Sequence, residues 1–272
     1  MHLQRIQALE KLTDSQRFQY ILDWAAQQKI KTQLHRYKTG QNIILPASTL
    51  PKIGIGSHFD TVLGTPGAND NASAMVVAMA IAERLQTHTF HNIGVEVFFF
   101  DEEERGLVGS WEYVKAFGIK DFIGFLNMEL VGMGNQFAVW PVREEQEGTV
   151  LTAFEAVSAH KGIACSRHEQ VVMNTADHET FRLAGLTDSF TLTCISDQDV
   201  AVASHYYKAQ EFEVDDHILF DIIRKAPIFV HYHQPTDKAI HLSEATLQTA
   251  VDTIWETLLK VDRESPANGY IF

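Results

Sequence analysis

The stretch Gly94–Ser110 reads GVEVFFFDEEERGLVGS and joins an apolar segment to a cluster of acids. The run from Ile93 to Phe100 is mostly apolar, which is typical of a central strand covered on both faces. Four consecutive acids, Asp101 to Glu104, follow it directly. Because packed carboxylates repel one another and lose hydration, solvent, a helix N-terminus or a metal must keep them ionised.

Strands and helices alternate on both sides of this stretch. Lys52–His58 and Phe122–Leu130 have strand patterns, and Ala72–Leu85 is apolar almost all round, as in a buried helix. Further helices are predicted over residues 3–28, 110–116, 149–159 and 242–261, and further strands over 33–46 and 189–194. This alternation predicts an α/β fold, a three-layer α/β/α sandwich around a mixed, mostly parallel sheet.

Polar motifs follow three of the predicted strands. His-Phe-Asp at 58–60, the acids at 101–104 and Asn-Met-Glu-Leu at 127–130 all stand at strand ends. In open parallel sheets the ligand lies outside the carboxyl ends of the strands. We therefore expect these three motifs to form one site.

Composition excludes several classes of partner. The chain has 272 residues and a formal net charge of −13, which argues against nucleic acid and anionic membranes. No run of 18 apolar residues and no signal-peptide pattern occurs, so the prediction is a cytoplasmic protein without a membrane span. Cys165 and Cys194 are predicted to be free thiols. The least regular segment, about 195–230, is predicted to be an insertion near the site.

Each motif has an ordinary structural explanation as well as a chemical one. His58 and Asp60 face the same way in an extended strand, as a ligand and its brace or as a simple polar pair. Asp70, in PGANDNAS, could bridge two cations at a helix start, although residues of this turn could merely cap the helix. Of the acids at 101–104, one could ligate a metal while its neighbour acts as general base, or all could form an acidic first helical turn. In His-Tyr-His, His233 is the candidate ligand and His231 its neighbour.

Six motifs in order carry a resemblance to a known family. The chain reads HFD, PGANDNASA, EERGLVGS, NMELVG, DHETF and YHQPTD between about residues 52 and 240. This resembles the co-catalytic zinc exopeptidases of the leucyl aminopeptidase type, in the clan that also holds glutaminyl cyclases and glutamate carboxypeptidases. The resemblance implies the zinc-exopeptidase fold and a single catalytic domain over residues 1–272.

The resemblance also implies two divalent ions, for which we favour zinc over manganese or cobalt. His58, Asp70 and Glu129 would hold one ion, and Asp70, Glu104 and His233 would hold the other. Asp70 would bridge the two. Glu129 departs from the family pattern, in which Asp is commoner, so the reach of this ligand and the metal preference are expected to differ.

The remaining acids receive roles from the same alignment. Glu103 matches the general base, and Asp60 matches the residue that supports His58. Asp101 and Glu102 are expected to be structural, and Asp177 of DHETF is expected at the edge of the pocket. The implied activity is hydrolysis of the N-terminal bond of short peptides by a water that the metals activate and Glu103 deprotonates.

Two other functions fit the same motifs. A glutaminyl cyclase shares the fold, but Tyr232 stands where cyclases carry a Trp before the final His. A metal-free binding relative would have lost ligands, whereas all five ligand positions and the base are present here. The P1 preference and the oligomeric state do not follow from the sequence.

Overall fold

The computed structural model describes residues 1–169, 171, 175–212 and 214–266. Within these residues one eight-stranded sheet runs in the order β1-β2-β4-β3-β5-β8-β6-β7. The centre, β4-β3-β5-β8, is parallel, and the antiparallel pairs lie toward the edges. The strands are β1 (Gln33–Arg36), β2 (Gln41–Leu45), β3 (Lys52–His58), β4 (Gly94–Phe100), β5 (Phe122–Met128), β6 (Gln136–Trp140), β7 (Cys165–Arg167) and β8 (Ser189–Ile195).

Helices cover both faces of the sheet, which confirms the predicted α/β fold. On one face α3 packs against β3 and β4, α5 packs against β5, and α9 packs against α3 and α5; α4 and α6 lie on the other face. The helices are α1 (His2–Leu9), α2 (Asp14–Gln27), α3 (Ser73–Leu85), α4 (Val108–Phe117), α5 (Thr149–His160), α6 (His178–Leu183), α7 (Asp197–Glu211), α8 (Asp216–Ile223) and α9 (Glu244–Glu264). In the described chain, no helix is both long and apolar enough to cross a bilayer.

The central strand β4 contributes side chains to two separate cores. Val97 and Phe99 lie in the larger core, with α3 and α9. Phe98 and Phe100 point to the opposite face and pack near Tyr113 of α4. Every residue of β4 is buried, as predicted for a strand covered on both faces.

The N-terminal helix predicted over residues 3–28 is two helices. The first helix ends at Leu9, and Thr13 caps α2, since its hydroxyl accepts from the N–H of Gln16 while the Gln16 side chain accepts from the N–H of Thr13. Such a reciprocal capping box satisfies the free donors of a helix start. The apolar spacing continued through this break because both helices bury apolar residues in the same core.

The segment 195–230 is more regular than the sequence indicated. It forms α7 and α8, which pack on each other, with residue 213 outside the described part. Only Asp199 of α7 and Leu219 of α8 are buried. Helical periodicity therefore gave little signal, because neither helix carries a broad buried stripe. That this segment is an insertion stays a prediction, as does a single domain over 1–272, whose residues 267–272 lie outside the described ones.

The strand ends that carry the motifs lie side by side. Strand β3 runs between β4 and β5, and His58 pairs in register with Phe100. Strand β5 ends at Met128, directly before Glu129. Because all three strands are parallel, residues 58–60, 101–104 and 127–130 meet at one edge of the sheet.

Candidate metal centre

Asp70 lies between two imidazoles at the edge of the sheet. Its Oδ1 is 3.4 Å from Nε2 of His58, and its Oδ2 is 3.1 Å from Nε2 of His233. Asp70 and His58 are buried, whereas His233 is partly exposed. Each carboxylate oxygen of Asp70 therefore faces a different histidine, as a carboxylate bridging two cations would.

A glutamate completes each half of the arrangement. Oε2 of Glu129 is 3.4 Å from Nε2 of His58, and Oε2 of Glu104 is 3.3 Å from Nε2 of His233. The structure thus brings together the five residues that the sequence motifs select as ligands. Asp70 and Glu129 lie near His58, and Asp70 and Glu104 lie near His233.

The geometry and chemistry of these donors fit divalent metal ions. Adjacent ligand atoms on a tetrahedral ion at roughly 2.0–2.1 Å lie about 3.3 Å apart, close to the separations of 3.1–3.4 Å found here. Glu104 Oε1 is buried without a hydrogen-bond partner. Two overlapping trios, His58–Asp70–Glu104 and His58–Glu103–Glu129, have donor atoms within 4.8 Å of one another. Imidazole and carboxylate donors together suit zinc.

Glu103 lies beside this donor set. Its Oε2 is 3.9 Å from Nε2 of His58, farther than the oxygens of Asp70 and Glu129. The Asp60 carboxylate accepts from the backbone N–H groups of Glu103 and Glu104, at 3.1 Å each. It also lies 3.3 Å from Nδ1 of His58. Asp60 therefore orients the first histidine and fixes the backbone of both glutamates.

Burial and mutual charge determine the protonation of the carboxylates. Burial raises the pKa of Glu129 and Glu104, and raises that of Glu103 well above its usual value. Asp70 is the exception, because hydrogen bonds to His233 and His58 outweigh burial and lower its pKa. Cations next to such groups favour their ionised forms.

The pKa values of the two histidines are also raised, although burial alone would lower them. Burial opposes a positive charge on His58, but the negative charges of Glu129 and Glu103 raise the pKa of its imidazole well above the usual value. For His233, burial is likewise outweighed by hydrogen bonds to Asp70 and Glu104, which raise its pKa to about 10. The negative charge of the carboxylates thus favours positive charge in this site.

Two asparagines hold Glu129, and the motif analysis did not assign them this role. The Asn71 amide donates to Glu129 Oε2 at 2.8 Å and to the Met128 carbonyl at 2.8 Å. The Asn127 amide donates to Glu129 Oε1 at 3.1 Å. Both asparagines belong to motifs named above, but only the fold shows that they donate hydrogen bonds to the same carboxylate.

The loop that carries Asp70 is anchored from two sides. The Asp237 carboxylate accepts from the N–H groups of Asn69 and Asp70, at 2.9 and 3.0 Å. From α2, the fully buried Arg17 donates to the carbonyls of Pro66 and Gly67, at 2.6 and 3.1 Å. The sequence analysis missed Arg17 because it appears as one basic residue within an amphipathic helix.

The acids that precede Glu103 contact other groups. The Asp101 carboxylate accepts from the Gln41 N–H at 3.0 Å. The Glu102 carboxylate accepts from the Thr39 hydroxyl at 2.5 Å and forms an ion pair with Arg105. Four consecutive acids are thus tolerated because they divide between these contacts and the metal centre.

Three further residues border the centre. Asp177, expected at the pocket edge, is fully buried, and burial raises its pKa to about 7. The ring of Tyr232 stacks on His233 with a centroid distance of 3.7 Å. His231 bonds Thr236 at 2.9 Å and stacks on another histidine outside the ligand set.

With this geometry in view, comparison with known proteins identifies the family. Residues 44–258 match the profile of peptidase family M28. The chain belongs to peptidase family M28.

Several curated relatives of this M28 chain are aminopeptidases by name. It is 25% identical over 199 residues to the probable lipoprotein aminopeptidase LpqL of Mycobacterium tuberculosis, and this alignment covers 71% of this chain and 39% of that protein. It is 34% identical over 86 residues to leucine aminopeptidase 2 of Arthroderma otae, and this alignment covers 30% of this chain and 17% of that protein. The chain thus spans well under half the length of these relatives.

Solved structures share the fold of this M28 chain. A zinc aminopeptidase from Bacillus subtilis aligns with a TM-score of 0.62 at 24% identity, covering 81% of this chain and 50% of that one. The LapA aminopeptidase of Legionella pneumophila aligns with a TM-score of 0.70 at 15% identity, and the alignment covers 98% of this chain and 72% of that one. Glutaminyl cyclase from Porphyromonas gingivalis aligns with a TM-score of 0.70 at 14% identity, and the alignment covers 95% of this chain and 96% of that one. At these identities the likeness concerns the fold.

Proposed function

We propose that this M28 chain is a metal-dependent aminopeptidase that uses two divalent ions. The observation that carries the proposal is the position of Asp70, whose two oxygens face His58 and His233 at 3.4 and 3.1 Å. Glu129 and Glu104 would complete the two ligand sets. The named aminopeptidases among its relatives support the same class of reaction.

In this proposal the bound ions supply Lewis acidity to the scissile carbonyl and lower the pKa of water. Glu103 takes the proton of the attacking water and passes it to the departing amine. Its buried carboxylate, with a raised pKa, suits a group that must both accept and return a proton. Asp60 keeps it in place by accepting the Glu103 N–H.

The surplus of carboxylates suits a free N-terminus. Asp70, Glu103, Glu104 and Glu129 line one small cavity with His58. Three of these carboxylates would be metal ligands, so a free α-amine entering this cavity would meet the metal ions and the unligated Glu103. An acylated N-terminus lacks that amine, so cleavage is proposed to require an unblocked first residue.

Zinc is the proposed ion, because the ligand set mixes imidazole and carboxylate donors. A zinc aminopeptidase among the structures that share this fold agrees with that choice. Manganese and cobalt would bind the same donors and are expected to support activity to a different degree.

An apolar first side chain is the proposed preference. A cavity of about 310 Å³ lies between α7, α8 and the sheet, with Val200, Val202, Ile228 and Phe229 in its walls. Leu130 and Ala176, which line the metal-site cavity, belong to the same apolar cluster as Ile228. The cavity is large enough for a branched or aromatic side chain.

The test combines metal analysis with hydrolysis of aminoacyl-anilides by the wild type and Glu103→Gln. Glu102→Gln is the matched control, because it removes a neighbouring carboxylate that contacts Thr39 and Arg105. We expect two metal ions per chain in all three proteins. Turnover is expected to fall at least about 100-fold in Glu103→Gln alone.

Other results would favour the alternatives. One metal ion together with cyclisation of N-terminal glutamine would indicate a glutaminyl cyclase. Absence of metal and turnover after addition of zinc would indicate a binding relative. Retained turnover in Glu103→Gln would refute Glu103 as the general base.

A further inference from the structure

A second cavity adjoins the metal centre and differs from it in charge. It has a volume of about 730 Å³, and its walls include His233 and Tyr232. Tyr232 also lines the small cavity formed by the metal-site acids, so the two spaces are neighbours. A substrate whose scissile bond lies at the metal centre can therefore extend into this larger cavity.

The only charged side chain among the described walls of the larger cavity, apart from the titratable His233, is that of Arg224. Phe220, Ile223 and Val230 supply apolar surface around it. Within the described part of the chain, the Arg224 guanidinium takes part in no ion pair or side-chain hydrogen bond. It is exposed, at the end of α8. This cation therefore has its donors available for a ligand.

The polarity of the two cavities matches that of a short peptide. In the proposed function the α-amine lies in the metal-site cavity, next to the metal ions and Glu103, whereas the larger cavity presents a guanidinium. Two or three extended residues span about 7–10 Å, so a carboxylate lies close behind the scissile bond in a dipeptide or tripeptide. Arginine binds carboxylates through two parallel N–H donors.

We infer that Arg224 forms a carboxylate-binding subsite on the leaving-group side of the metal centre. The inference rests on the proposed aminopeptidase function and adds its substrate class: short peptides whose leaving part carries a carboxylate. That carboxylate is either the α-carboxylate at the C-terminus or the side chain of an acidic second residue. Both present the same anion to the guanidinium.

Two substrate pairs distinguish the sources of the carboxylate. Leu-Gly-Gly and Leu-Gly-Gly-amide differ in the α-carboxylate, whereas Leu-Glu-amide and Leu-Gln-amide differ in the side chain. For each pair, the ratio of kcat/KM values is measured in the wild type, in Arg224→Gln and in Lys225→Gln. Lys225 is the matched control, because it is an exposed neighbouring cation that does not line the cavity.

We expect the wild type to prefer the anionic member of at least one pair by about tenfold. Arg224→Gln should bring that ratio to near one, mainly through KM, and Lys225→Gln should preserve it. Equal rates within both pairs in the wild type, or the same loss in both variants, would overturn the inference.

Hydrolysis of leucyl-anilide, which carries no carboxylate, separates this inference from the proposed function. Cleavage of the anilide by the wild type without any carboxylate preference overturns the subsite alone. Failure to cleave the anilide and all four peptides overturns the proposed function and the subsite with it.

Discussion

The carboxylate of Asp60 accepts a hydrogen bond of 3.1 Å from the backbone N–H of Glu103. Its second oxygen accepts from the N–H of Glu104 at the same distance, and its first lies 3.3 Å from Nδ1 of His58. The Asp60 side chain therefore fixes the acidic turn after β4, and the Asp60 main-chain carbonyl also lies 3.1 Å from Nδ1 of His58, within hydrogen-bond distance. The proposed base and two proposed ligands are thus held by this single residue.

Replacing Asp60 with Asn should lower kcat/KM for leucyl-anilide by about 10- to 100-fold, the usual effect of losing a partner that orients metal ligands. The amide nitrogen of Asn cannot accept an N–H, so one glutamate amide loses its partner. Asp101→Asn is the control, because Asp101 accepts from Gln41 instead. Equal activity of Asp60→Asn and wild type would refute the positioning role.

Glu129→Asp should weaken zinc binding at one of the two positions by at least about tenfold. A side chain shorter by one methylene cannot keep its contact with His58 and the hydrogen bonds from Asn71 and Asn127 together. Competition with a chromogenic chelator measures the affinity. Glu179→Asp, on the partly exposed α6 residue that pairs with Arg182, is the control. Unchanged affinity in Glu129→Asp would contradict the claim that zinc binding depends on the length of this side chain.

His178→Gln should reduce the loss of stability on acidification. Burial lowers the pKa of His178 to about 3, whereas an unfolded histidine titrates near its usual value of about 6.5. Between these values the unfolded chain binds a proton that the folded chain does not, so the free energy of unfolding decreases as the pH falls. The slope from this residue approaches about 1.4 kcal/mol per pH unit.

Urea unfolding at pH 7 and pH 5 measures this difference between the variants. The exposed His217→Gln is the control for simple loss of a histidine. If His178→Gln and the wild type lose equal stability between the two pH values, His178 is protonated in the folded protein and the argument fails.

Arg17→Met should lower the free energy of unfolding by about 3 kcal/mol or more. The guanidinium is fully buried, and its loss leaves the carbonyls of Pro66 and Gly67 without donors, each costing about 1–3 kcal/mol. Urea denaturation checks this value, with the exposed Arg36→Met as control. A change below about 1 kcal/mol would mean that the Asp70 loop does not need this anchor.

Sequence patterns predicted the fold well for a physical reason. Buried parallel strands such as β4 carry a strong apolar signal, and their carboxyl ends meet at one edge. His58 ends one such strand, Glu129 follows another directly, and Glu103 lies three residues after a third. Ordered motifs therefore selected residues that the fold brings together, and their roles as ligands and base stay predictions.

Residues that act across long separations could not be predicted in the same way. Arg17 reaches Pro66 from α2, and Asp237 reaches Asp70 from a distant loop. Neither contact has a local spacing that reveals it. Helices α7 and α8 were missed for a different reason, because apolar periodicity is weak in α7 and α8 has only eight residues.

The central claim is that Asp70 bridges two divalent ions, and zinc titration of the metal-stripped protein tests it most directly. Isothermal calorimetry of the wild type should show two zinc ions per chain, and Asp70→Asn should lose tight binding at both positions because the carboxylate serves both ligand sets. Binding of one ion by the wild type, or of two ions by Asp70→Asn with unchanged affinity, would contradict the bridge.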